Sequence, residues 1–290
     1  MLKKRVSASI FILRGRAVQS LGFNRFLPVG DPAVAAEFFS RWGADEIVLI
    51  DLSAPREGRG PDLAMIERVS RACFVPLAVA GGLSTVEQVH DAVAAGADKV
   101  VVNTAALREP ALIRRIADRF GEQCAIAAFD VRTTDAGDRT VMENAGRDRR
   151  TEDFIALLRR AEAAGAGEIL IQSMDRDGSR AGYDIALIEA AAQAVHVPVI
   201  ALGGCGHPDH VVDLFRQTRA SAAAIGNMLN YTEHSILLVK AALVRAGIPV
   251  RNDSYADYAG QALDAMGRPA RQPEAQLDDL FFRYIPDEVI

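Results

Sequence analysis

A chain of 290 residues, half of them apolar and 24% charged, has the length and composition to bury one large core. Its net charge of -5 offers no basic footprint, which excludes nucleic acid and anionic membranes as expected partners. Cys73, Cys124 and Cys205 are odd in number, far apart and without metal-ligand spacing, as expected in a reducing cytoplasm. The start MLKKRVSASIFIL is too short and too polar in its apolar run for a signal peptide, and no stretch approaches a membrane span.

In chain order, short runs rich in Val, Ile, Leu and Ala recur. They are RVSASIFIL (5–13), EIVLID (46–51), VPLAVAGG (75–82), DKVVVNT (98–104), CAIAAFDV (124–131), EILIQS (168–173), VPVIALGG (197–204) and SAAAIGN (221–227). Between them lie amphipathic patterns such as PALIRRIADRF (110–120) and TEDFIALLRRAEAAG (151–165), with apolar residues at i, i+3, i+4 and i+7. Continuously apolar strands separated by helices imply a parallel sheet covered on its outer side. Eight such units predict an α/β fold, a (β/α)8 TIM barrel over 1–251, with a doubly wound open sheet as the alternative.

VPLAVAGGLST at 75 and VPVIALGGCGH at 197 echo one another across 122 residues, so the two halves read as copies of one half-barrel. In a barrel both Gly-Gly turns face the C-terminal rim, where chemistry resides. Backbone N–H groups at such turns cradle phosphates, and two turns on opposite sides predict a ligand with a phosphate at each end; the competing reading is a pair of tight turns.

Several longer motifs occur together in this order: GDP (30–32), DEIVLIDLSA (45–54), AGGLST (80–85), GADKVVVNTAAL (96–107), DRFGEQ (118–123), GAGEILIQSMDRDGSRAGYD (165–184) and VPVIALGGCG (197–206). Over residues 1 to 251 the chain resembles the HisF family, the cyclase subunit of imidazole glycerol phosphate synthase. The resemblance implies a barrel that takes ammonia from a HisH-like glutaminase at its N-terminal face. At its C-terminal face it would close an imidazole ring on a bisphosphorylated ribonucleotide, without a cofactor or a metal.

Carried over residue by residue, the resemblance places one phosphate on Gly82, Asn103 and Thr104. The other falls on Asp177, Gly178, Ser179, Gly203 and Gly204, with Asn227 where the family pattern has Ser. The family's acid and base are two aspartates on opposite strands; Asp130 matches one, and Phe11 occupies the position of the other. A phenyl ring neither accepts nor donates a proton, and losing a positioned acid or base costs about 10²- to 10⁴-fold in rate. Gln19 stands where the pattern has Lys and Gln172 where it has Thr, so the site reads as rebuilt. Asp51 is a substitute acid to be weighed against its place in the standard pattern; Phe11 itself reads best as an inward residue filling space.

Arg5, Glu46, Lys99 and Glu168 each start a strand, which by itself predicts an ion-pair ring at the barrel bottom. The resemblance makes them the ammonia gate, and matches Asp98 and Gln123 to the glutaminase interface. An intact intake beside altered chemistry is similar to the HisF-like branch acting in acetamidino modification of bacterial surface sugars. There the barrel relays ammonia to a further sugar amidotransferase. The C-terminal extension, 252–290, ends on FFRYIPDEVI and is expected to dock on the barrel or on a partner; it too resembles that branch.

His207 and His210 have helical spacing but no third ligand nearby, so no metal is expected. TTDAGDRTVMENAGRDRR (133–150) reads as a polar hairpin able to lid the site. None of the cysteines has a nucleophile's setting, so the chain is not expected to hydrolyse glutamine. Three functions stand: an ammonia-using subunit in sugar amidination, an authentic histidine-pathway cyclase, and a non-catalytic ammonia conduit.

Overall fold

The computed structural model describes residues 3–134, 136–251, 262–264 and 268–270. Twelve strands occur among them. They are β1 (Arg5–Leu13), β2 (Arg16–Leu21), β3 (Arg25–Gly30), β4 (Glu46–Asp51), β5 (Leu77–Ala80), β6 (Lys99–Val102), β7 (Ala125–Thr133), β8 (Arg139–Glu143), β9 (Asp148–Arg149), β10 (Glu168–Ser173), β11 (Val199–Leu202) and β12 (Ala222–Ile225). Eight of these, β1, β4, β5, β6, β7, β10, β11 and β12, pair in parallel, and β12 returns to β1 to close the barrel. The (β/α)8 expectation is met, and the open-sheet alternative is excluded by that closure.

Strand alternation divides the apolar residues into two layers. One set of alternate residues, including Ile10, Ile12, Ile47, Leu49, Ile169 and Ile171, packs against the helices. The other fills the lumen: Phe11, Val48, Ala78, Val101, Ile126, Ala128, Leu170, Ile200, Leu202, Ala222 and Ala224. The connecting helices start on the side-chain caps that their sequences offer. Asp31 accepts from Ala33 N, Asp62 from Met65 N, Asp153 from Ala156 N and Asp184 from Leu187 N, while Thr85 and Gln88 form a reciprocal capping box.

β1 and β7 run nine residues each, past the barrel rim, and fold back into antiparallel ribbons. β7 continues into β8 and β9, with the turn closed by Thr134 N to Asp138 O at 2.9 Å, as the polar stretch after Asp130 predicts. β1 continues into β2 and β3, a hairpin that periodicity does not announce. The expectation about the FFRYIPDEVI ending lies outside the described residues.

Candidate active site

At the lower rim, Arg5, Glu46, Lys99 and Glu168 form one closed ring. Lys99 Nζ bonds Glu46 Oε1 at 2.7 Å and Glu168 Oε1 at 2.5 Å; Arg5 bonds Glu168 through both guanidinium nitrogens and lies 3.8 Å from Glu46. Burial raises the Glu168 carboxyl, but Arg5 and Lys99 outweigh it and hold the group below its ordinary value. Asp98 and Gln123 sit on the same rim, one residue before Lys99 and two before β7, both exposed. Asp98 also accepts the Leu77 N–H at 2.8 Å, so part of its role is to hold a strand start.

The ring opens upward into the lumen, because Arg5, Ser7, Ser9 and Phe11 share one side of β1, as do Glu168, Leu170 and Gln172 of β10. The first layers mix small and larger side chains: Ala78, Ala222 and Ala224 are fully buried beside Val48, Val101, Ile126 and Leu170, and the buried Ser9 hydroxyl has no hydrogen-bond partner among the described residues.

At the upper rim lies a cavity of about 560 Å³. Asp51, Gly82, Asn103, Thr104 and Asp130 all border it, which brings the first predicted phosphate end and the matched aspartate together. Asp130 is 9% exposed; burial drives its carboxyl up to about 7, with Asn103 pulling down and Asp177 adding to the rise. Across the β7–β10 register Asp130 faces Gln172, which is 6% exposed, borders the same cavity and has no hydrogen-bonding partner for its side chain among the described residues. Phe11, 4% exposed, fills the lumen opposite.

Asp51 is committed elsewhere. Its Oδ1 accepts from Ser53 N and Ala54 N, and its Oδ2 takes a 2.7 Å bond from Arg59. This arrangement leaves it a poor candidate for a substitute acid. The glycine turns are also accounted for by packing: a side chain on Gly81 would stand 2.3 Å from the Asp51 carbonyl oxygen, and one on Gly203 2.7 Å from that of Ser173. Both glycines adopt φ near +108°, at +109° and +107°.

The second predicted phosphate end does not reach the cavity. None of Asp177, Gly178, Ser179, Gly203, Gly204 and Asn227 borders it. Asp177 instead accepts from the Ser20 hydroxyl at 2.6 Å and from Phe23 N at 3.0 Å, and Asn227 bonds both the N–H and the carbonyl of Ser20. Gln19 lies in β2 of the same hairpin. Sequence reasoning misses Arg59, Arg108, Phe23 and Asn144, which also border the cavity; the one available signal was the pair of bases, Arg56 and Arg59, in REGRGPD. His207 caps the helix Pro208–Gln217 and His210 accepts from Gly206 N, and no metal-binding cluster occurs among the described residues. No described helix is long and apolar enough to cross a membrane.

The family model described as "Histidine biosynthesis protein" matches residues 5–235. Three curated relatives, each an imidazole glycerol phosphate synthase subunit HisF, come from Bacillus cereus strains G9842, Q1 and ATCC 10987 / NRS 248. Each is 41% identical over 251 residues, covering 87% of this chain and the whole of the relative.

Proposed function

The chain belongs to the HisF family, and on that premise we propose that it is an ammonia-receiving barrel whose upper-rim chemistry has left the family's two-aspartate cyclisation. Its ammonia would come from a HisH-like glutaminase docked around Asp98 and Gln123, and would serve the conversion of an acetamido to an acetamidino group on a surface sugar by a further amidotransferase. The observation that carries the reading is Phe11. Its ring is buried in the lumen at the place where the resemblance puts one of two proton-handling carboxyls, and no neighbouring acid is free to replace it, because Asp51 is held by Arg59 and two backbone N–H groups.

The floor supports the intake. Ammonia is small and neutral, and above the charged ring the lumen offers alanines and the Ser9 hydroxyl beside Val48, Val101 and Leu170. Asp130, poised near 7, is able to give or take a proton at neutral pH, which suits a subunit that still handles ammonia above its floor.

A second reading, an authentic cyclase, is favoured by identity along the whole length of the HisF relatives and by the retained Asp130. One assay separates the two: purified protein, excess ammonium salt at high pH, and the bisphosphorylated ribonucleotide of the family's reaction. The expected result is no aminoimidazole product. Turnover of about 1 s⁻¹ or more overturns the proposal. A purely passive conduit is recognised separately, since Asp130→Asn would then leave sugar modification unchanged while gate variants abolish it.

A further inference from the structure

The two rim ends that the half-barrel repeat makes equivalent are not equally available. Gly82, Asn103 and Thr104 border the open cavity of the upper rim; Gly203 and Gly204 do not line it. The difference is the turn between β2 and β3. Ser20 N donates to Asn227 Oδ1 at 3.1 Å, and Asn227 Nδ2 donates to Ser20 O at 2.6 Å, so one carboxamide pairs with the backbone of Ser20 as a neighbouring strand would. Gly22 N donates to the Asp177 carbonyl at 3.1 Å, while the Ser20 hydroxyl and Phe23 N converge on the Asp177 carboxylate. A Cβ on Gly178 would lie 2.5 Å from Leu21 Cδ2 and 2.8 Å from Ser20 O, so the turn rests directly on that glycine.

A phosphate at this end would have to displace five hydrogen bonds and would then meet the buried Asp177 carboxylate, an unfavourable neighbour for a dianion. At the open end the conditions differ. Gln172 is 6% exposed, borders the cavity and has no hydrogen-bond partner among the described residues, so its amide is available to a polar group of a ligand. The cavity's roughly 560 Å³ lies within the usual range for a small-molecule site of about 300–1,000 Å³.

We propose that the ligand of this site is a phosphomonoester of sugar or nucleoside size, its single phosphate at the Gly82 and Thr104 end and its hydroxyl or amide groups against Gln172 and Asp130, because the chain's own Ser20–Phe23 turn has taken the second end. The proposal rests on the reading of the upper rim as a phosphate site, and it makes Asn227 the specificity determinant. A Ser at that position has one short hydroxyl and cannot make both bonds to Ser20, so Asn227→Ser releases the turn.

The test is a titration of the isotopically labelled whole chain with inorganic phosphate, read by amide resonances. In the wild type, Gly82 and Thr104 are expected to shift saturably while Ser179 and Gly204 stay still, an affinity difference of at least ten-fold between the ends. In Asn227→Ser, all four are expected to respond. Wild-type shifts at both ends, at the Gly204 end alone, or at neither end up to 50 mM phosphate each overturn the proposal. The wild-type titration decides even if the variant fails to fold. Because no ammonia chemistry is read, failure here leaves the intake reading to the ammonium assay above, and failure of that assay leaves this one to stand.

Discussion

The ring of Phe11 and the α-carbon of Gly226 are fitted to one another: a methyl group placed on Gly226 would stand 2.9 Å from Phe11 Cε2. Gly226 has φ -107° and ψ -97°, outside the main regions open to L-residues, so the backbone as well as the ring favours glycine here. Phe11 and the position just beyond the last strand therefore act as one unit.

Gly226→Ala is accordingly expected to destabilise the protein by about 1–3 kcal/mol through overpacking. In a Phe11→Ala background the same change should cost less, because the contact with the ring is gone. Urea denaturation of the four proteins in that cycle measures the coupling, and simple additivity would refute the fit.

Asp130 ties stability to pH. Its carboxyl sits near 7 in the folded chain against an ordinary 3.8, so the folded state holds a proton that the unfolded state has already released. Stability should fall as pH rises from 4 to 7, by up to about 4 kcal/mol from this group. Asp130→Asn removes that dependence, and comparison of the two unfolding midpoints at pH 5 and pH 8 reads it.

The ring at the lower rim predicts the opposite sign. Glu168 is held below its ordinary 4.5, so its contribution is present above that value and lost as pH falls through the folded one. Glu168→Gln should cost about 1–3 kcal/mol at pH 7, where Arg5 and Lys99 lose a charged partner. The gap from wild type should close in acid. A gap that persists at pH 3 would show that shape rather than charge matters there.

Thiol reactivity should separate the cysteines. Burial pushes Cys205 up to about 12 and also raises Cys124, and both side chains are buried, whereas Cys73 is partly exposed. At pH 8 an aromatic disulfide reagent is expected to react with at most one equivalent in the folded chain and with three after denaturation. Fast reaction of two or more in the folded state would contradict the burial of Cys124 and Cys205.

Phe11→Asp alone is not expected to create a cyclase, since Gln172 also faces the cavity and the second end is closed by Ser20 and Asn227. Appreciable aminoimidazole formation from ammonium salt by that variant would refute this.

The barrel was legible because a strand buried on both faces is an unbroken apolar run, and seven helix-bearing connections punctuate eight of them. The ribbon β2–β3 was not. RAVQSL and RFLPVG carry charges and a proline, and β3 is largely solvent-exposed, so no periodicity marks it. The gate residues could be found from their place at strand starts. Asp177 and Asn227 were recognisable as rim residues, but their partners lie 157 and 207 positions away, a distance at which spacing carries no information. Arg59 escaped because a base beside glycines in a connecting segment ordinarily points to solvent.

Glu46 and Glu168 lie 122 residues apart, as do Gly82 and Gly204, so the half-barrel repeat keeps one spacing from floor to rim. The flaps that continue β1 and β7 differ: the first rests its Ser20–Leu21 stretch on Gly178 and reaches the cavity only through Phe23, while the second forms a wall of the cavity through Asn144 and Ala145. The duplication has thus been followed by a division of labour written in the appendages, with the staves left alike. Grafting sets the terms of any redesign: exchanging the two flaps while keeping all eight staves should move the open mouth to the opposite side of the barrel.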